Sequence, residues 1–178
     1  MDIHETPLKS CFVITPRIIE DARGRFVKPF HIDEFNQYGL YFEIKEEYYS
    51  VSKKNVVRGL HFQTPPKATK KIVTCLNGSI FDVVVDLRKS STTFLQNFPV
   101  ELSSDKGNML YIPEGFAHGF MALSNEATVL YMCSEMYSPE NDAGIRWNSA
   151  GIEWPPASPV VSEKDSLLVE LTRFDNPF

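Results

Sequence analysis

The chain has 178 residues, 43% hydrophobic and 23% charged, with a formal net charge of −5. That length suits one domain with a sizeable core, and the acidic balance argues against nonspecific nucleic-acid binding. Cys11, Cys75 and Cys133 are odd in number and lack CxxC spacing, which argues against a disulfide framework or a thiolate zinc site and fits a reducing, cytoplasmic setting. The start has neither a basic segment nor an apolar run, so no signal peptide is expected, and no stretch approaches the ~20 apolar residues of a membrane span.

In chain order, Cys11 to Ile14 is a short apolar strand stopped by Thr15-Pro16. Asp21-Ala22-Arg23-Gly24 reads as a turn, and Arg25 to Phe30 alternates like a half-buried strand, placed near an edge by Pro29. His31 to Tyr38 predicts a short helix ended by Gly39. Phe42 to Ser52 and Lys71 to Leu76 predict strands, and Asn77-Gly78 is the strongest hairpin signal in the chain. Ile80 to Arg88, Phe98 to Leu102, Asn108 to Ile112, Gly119 to Leu123 and Ala127 to Cys133 continue the strand series. From Trp154 onward the chain reads as loop, with a helix over 163–171 capped by Ser162. Many short strands, few helical patterns and no repeat predict an all-β antiparallel sandwich or barrel in one domain, 1–178.

The chemistry-bearing residues cluster around Val57 to Phe120. Arg58-Gly59-Leu60-His61-Phe62-Gln63 opens that stretch and Pro113-Glu114-Gly115-Phe116-Ala117-His118-Gly119-Phe120 closes it, each with one histidine. An imidazole titrates near neutral pH, so two on a β scaffold suit acid–base work, although a lone histidine among apolar residues is more often a structural one. No His-x-His pair, nucleophile elbow, GxGxxG or Walker pattern occurs, so no metal site is expected, and any phosphate falls to side chains such as Arg23, Arg58, Lys71 and Arg88. Tyr131, on an apolar strand, is a possible acid, with a core aromatic as the plain alternative.

The chain resembles the dTDP-4-dehydrorhamnose 3,5-epimerases, which have the cupin jelly-roll fold (a double-stranded β-helix barrel). The resemblance rests on Asp21 to Phe26, Arg58 to Gln63, Phe81 to Arg88, Ser90 to Phe94, Ile112 to Phe120, Leu130 to Glu140, Gly144 to Trp147, Ile152 to Pro155 and Ser162 to Asp165, in family order and spacing. It implies an isomerase that epimerises a nucleoside-diphosphate 4-keto-6-deoxyhexose at C3, C5 or both, without a cofactor, as in rhamnose and lipopolysaccharide biosynthesis. It implies His61 as general base, Asp165 as its carboxylate partner, Tyr131 as acid, and Lys71 with His118 at the enolate oxygen. Arg58 and Arg23 would hold diphosphate or sugar. Phe26 and its neighbours would reach into the site of a second subunit, making a homodimer with exchanged N-terminal strands. Two positions depart from the family pattern. Lys28 stands where a Glu is usual, and Glu46-Glu47-Tyr48 replaces Gln-x-Asn in the nucleotide pocket. A CDP- or other NDP-linked substrate, epimerisation at one carbon, or a non-catalytic sugar-nucleotide-binding cupin are the alternatives.

Overall fold

The computed structural model describes residues 1–178. Its strands are β1 (Asp2–Glu5), β2 (Phe12–Thr15), β3 (Ile18–Asp21), β4 (Gly24–Val27), β5 (Glu46–Lys53), β6 (Val56–Gln63), β7 (Lys71–Asn77), β8 (Ser79–Asp86), β9 (Asn97–Ser103), β10 (Met109–Ile112), β11 (Phe116–Ala122), β12 (Glu126–Cys133), β13 (Asp142–Gly144) and β14 (Val160–Val161). The helices are α1 (Ile32–Gln37), α2 (Glu163–Ser166) and one 3-10 turn, Leu171–Arg173. None is long and apolar enough to cross a membrane.

Two sheets face each other. One runs β1-β2-β10-β7-β12-β5, the other β13-β6-β11-β8-β9 with β14 added beside β6. Their inward apolar residues, among them Val73, Val84, Leu110, Phe120 and Val129, are fully buried and form the core. Burying such side chains contributes about 1.5–3 kcal/mol each. All pairings are antiparallel except β14–β6 and an isolated bridge from Ile145 to Val169, so the fold is the all-β jelly roll expected.

The hairpin expected at Asn77-Gly78 does not form. β7 and β8 lie in different sheets, and Gly78, at φ +76°, is a corner between them. A Cβ there would strike Glu126 O at 2.3 Å. The positive φ that suits a tight hairpin equally suits a turn from one sheet to the other.

Other expectations shift: the strand expected over Arg25 to Phe30 ends at Val27, before Pro29, and β6 arises where none was expected. Phe42 is not in a strand: it packs with Phe30 and Tyr111, so β5 begins only at Glu46. The C-terminal helix stops at Ser166, because the following residues bond to the 145–146 segment instead, Arg146 N donating to Val169 O at 2.8 Å. The segment after Trp154 holds β14 as well as loop. The three cysteines are free and buried.

Candidate active site

Strand register places the site. Across β5, β12 and β7 the rows Glu46–Cys133–Lys71 and Tyr48–Tyr131–Val73 stand side by side, with Glu47, Met132 and Ile72 between them on the other face. From the opposite sheet, His61 on β6 is the cross-strand partner of His118 on β11. Between the sheets lies a cavity of about 520 Å³, lined among others by Glu46, Tyr48, Arg58, His61, Lys71, His118, Tyr131 and Asp165. A cavity of that size suits a small ligand.

β6 and β11 meet closely at two glycines. A Cβ on Gly59 would lie 2.6 Å from the Gly119 Cα, and Gly59 itself sits at φ +130°. No other residue fits that approach.

Asp165 arrives from a distant part of the chain. β14 runs parallel to the start of β6, which carries α2 alongside Gly59 and His61. Ser162 caps α2, its Oγ accepting from Asp165 N at 3.1 Å. One Asp165 oxygen lies 2.7 Å from His61 Nε2, and the other accepts from Gly59 N at 3.2 Å. Burial alone would raise the Asp165 pKa. The His61 hydrogen bond and charge, the Gly59 N–H and Lys164 outweigh it, so the carboxylate is held below its ordinary range. With Nε2–H donated to Asp165, the lone pair of His61 sits on Nδ1.

His118 has a carboxylate of its own, its Nε2 lying 2.7 Å from Asp82 Oδ1. Burial pushes the Asp82 pKa up, and its Oδ2 is buried without a partner. Tyr131 is only 6% exposed; burial raises its pKa above that of a free phenol, so it is protonated at neutral pH. Its ring stacks on Tyr48, centroids 4.7 Å apart. Burial lowers the pKa of Lys71, while Cys133, Asp142 and Glu46 pull it upward. A carboxylate-paired imidazole, a protonated buried phenol and an enclosed ammonium in one cavity can move a proton off carbon, return one, and stabilise an oxyanion.

Arg23, Phe26 and Lys28 lie outside this cavity. Arg23 is tied to Asp21 at 2.6 Å on the two-stranded β3–β4 unit, and Phe26 is 59% exposed. Arg88 is also elsewhere: it pairs with buried Asp86 at 2.8 Å, which Ser91 and Thr93 also hold, so it is removed from the phosphate candidates. Glu46 is already engaged, Oε2 accepting from Tyr137 N at 2.7 Å.

Further lining residues escape sequence reading. Gln63 ties two loops together, donating to Lys67 O and Met136 O and accepting from Ser138 N. Asp142 joins Lys164 at 2.7 Å on the rim. Ser50, Cys133 and Tyr137 also line the cavity. Alternation along β5 and β12 puts Ser50 and Cys133 on the same faces as Tyr48 and Tyr131, a signal present in the sequence once the strands are paired. Gln63, Tyr137 and Lys164 lie within the family-like segments and Asp142 just outside them, and only the tertiary contacts give these residues a task.

Comparison with known proteins shows the family. The dTDP-4-dehydrorhamnose 3,5-epimerase family profile matches residues 5–173. The curated dTDP-4-dehydrorhamnose 3,5-epimerase of Shigella flexneri is 41% identical over 168 residues, 93% of each chain. The Bacillus anthracis dTDP-4-dehydrorhamnose 3,5-epimerase, solved with TDP and PPi bound, superposes with a TM-score of 0.93 at 38% identity, covering 96% of this chain and 99% of its own. The dTDP-6-deoxy-D-glucose-3,5-epimerase of Legionella pneumophila, in complex with dTDP-4-keto-L-rhamnose, gives 0.94 at 35% identity, covering 98% and 94%. With these matches spanning nearly its whole length, the chain belongs to the dTDP-4-dehydrorhamnose 3,5-epimerase family of isomerases.

Proposed function

We propose that the protein inverts C3 and C5 of a dTDP-linked 4-keto-6-deoxyhexose, in the deoxysugar biosynthesis that leads to rhamnose and lipopolysaccharide. The reading rests on one arrangement: His61, held by Asp165, shares a single cavity with protonated Tyr131 and with Lys71. His61 takes the proton beside the ketone. The electron pair of that C–H bond moves onto the keto oxygen as an enolate, which Lys71 and His118 stabilise. Tyr131 then returns a proton to carbon from the opposite face, and the ketone re-forms. Only the ketone makes the C–H acidic, so the sequence of steps calls on no cofactor. Arg58 holds the diphosphate. Glu46 and Tyr48 form part of the nucleotide end, Glu46 with the one oxygen that Tyr137 leaves free.

The working unit in this reading is a cytoplasmic homodimer of single-domain chains that exchange N-terminal strands. Arg23, Phe26 and Lys28, which lie outside their own chain's cavity, then serve the partner's. The exposed apolar residues Ile19 and Phe26 on β3 and β4 support that assignment.

Exchange and inversion, followed separately in deuterated water with a dTDP-linked 4-keto-6-deoxyglucose, test the function. The wild type should do both. His61→Asn should lose both, by more than the ~10²–10⁴-fold typical of a missing general base, because no enolate forms. Tyr131→Phe should keep exchange and lose inversion. Undiminished exchange in His61→Asn would overturn the mechanism.

A further inference from the structure

Ser50 is the one cavity residue whose polar side-chain atom is buried and lacks a well-directed hydrogen bond. It lies on β5 opposite Val129, two residues from Tyr48, which is itself opposite Tyr131. Ser50 and Tyr131 are therefore diagonal neighbours on one face of the β5–β12 pair, a separation that an aromatic side chain spans. Tyr48 stacks flat on the Tyr131 ring, 4.7 Å between centroids and 18° between planes, which restricts how the phenol can tilt. Arg58, anchored through Nε to Ser52 Oγ at 3.0 Å, stands on β6 of the facing sheet.

We propose that Ser50 is a positioning residue for Tyr131, donating a hydrogen bond to the phenolate that Tyr131 becomes when it protonates the substrate carbon. The proposal rests on Tyr131 being the acid. When Tyr131 gives up its proton, the O–H bond breaks, a C–H bond forms, and the electron pair stays on the phenolic oxygen. That oxygen becomes an anion in a site only 6% exposed, where a charge without a donor is costly. The Ser50 hydroxyl is free to turn toward it, because it has no other commitment. No bond changes hands between the two; solvent restores the proton later. A direct influence is already present in the resting site. Burial is the larger effect and raises the Tyr131 pKa, but Ser50 and the charge of Arg58 both act to lower it. An imperfect resting geometry that tightens when charge develops is usual for catalytic hydrogen bonds.

The experiment measures solvent-deuterium exchange and net inversion side by side on Ser50→Ala, Ser50→Thr and Tyr131→Phe. Ser50→Ala should lower inversion about tenfold, the size of effect expected when a hydrogen bond to a charging group is lost, while exchange changes less than about twofold. KM should hardly move. Ser50→Thr keeps the hydroxyl and should recover most of the inversion. In a Tyr131→Phe background, Ser50→Ala should add nothing further, because the bond's acceptor is gone. Equal loss of exchange and inversion in Ser50→Ala, or no loss of either, would overturn the proposal. If Tyr131→Phe itself retains inversion, the acid assignment fails instead, so the two failures are separable.

Discussion

His61 and His118 are cross-strand partners, and each holds its own carboxylate at 2.7 Å, Asp165 for one and Asp82 for the other. The two dyads differ in exposure: the His61 side chain is 32% exposed, that of His118 only 5%. They also differ in electrostatics. Asp165 sits below the ordinary carboxylate range because His61, Gly59 and Lys164 outweigh its burial, whereas burial dominates at Asp82 and raises it. Both imidazoles line the cavity, but Asp165 is kept charged beside the more exposed one, whereas Asp82 anchors His118 from within the core.

That contrast predicts different mutant phenotypes. Asp82→Ala strands a buried imidazole N–H and should cost roughly 1–3 kcal/mol, lowering Tm by several degrees. Asp165→Asn keeps an amide oxygen for Gly59 N and should lower Tm less than Asp82→Ala, while reducing both exchange and inversion, less severely than His61→Asn, because His61 stays in place with a weakened tautomer preference. Thermal melts beside the two rate measurements check this. Equal destabilisation by both variants would remove the distinction.

Much of this site is legible in the sequence, and the remainder fails for identifiable reasons. Tyr131 stands on a strand expected from the sequence, whereas His61 and His118 stand out only as single histidines in their blocks and prove to lie on β6 and β11, outside the expected strands. Asp165 comes to His61 across 104 residues, and no local pattern can link them; only the family resemblance does. Asn77-Gly78 signals a hairpin but does not make one, because a glycine at positive φ serves equally where a chain doubles back and where it changes sheet. The helix expected over 163–171 loses to long-range pairing, since residues 168–169 find partners in Arg146. Ser50 carries no local signal at all until β5 is laid against β12.

Acid stability should depend on Asp86. Burial alone would raise its pKa, but hydrogen bonds from Arg88, Ser91 and Thr93 outweigh burial and lower it. A carboxylate whose native pKa is depressed contributes stability above its unfolded value, about 3.9, and loses that contribution as pH falls through the native value. Asp86→Ala should therefore cost roughly 3 kcal/mol near pH 7, as the breaking of a buried pair does. As pH falls below about 3.9 its difference from the wild type should shrink. Denaturant midpoints across pH 2–7 measure this; a difference that is constant with pH would refute it.

Lys71 should set an alkaline limit on activity. Burial lowers its pKa, only partly offset by Cys133, Asp142 and Glu46. An ammonium with a lowered pKa is charged below that value and neutral above it, so enolate stabilisation should fade as pH rises through it. Lys71→Arg keeps the charge to far higher pH. The alkaline limb of kcat/KM should move upward in Lys71→Arg, whatever the loss in absolute rate. An unchanged limb would place the titrating group elsewhere.

The exchanged-strand dimer makes a prediction that no single-chain reading shares. β3 and β4 pair only with each other; Arg25 attaches the hairpin to its own chain at the Asp105 carbonyl, 3.0 Å away. Arg23 and Phe26 project from it, exposed, outside the cavity that holds His61. If the hairpin serves the partner, then Arg23→Ala and His61→Asn lesions fall in different cavities of a mixed dimer when they sit on the same chain, and in the same cavity when they sit on opposite chains. Each variant alone should be impaired. Mixing the two and letting subunits exchange should then produce heterodimers in which one cavity carries both lesions and the other carries none. With random pairing, half the dimers are mixed and each has one intact cavity, so activity should recover to about a quarter of wild type. If the hairpin serves its own chain, every cavity in the mixed dimer retains one lesion and mixing gains nothing. Subunit exchange is verified by mass tagging one variant, so an absence of recovery in a confirmed mixture would reject the exchange of strands while leaving the His61–Asp165 chemistry untouched.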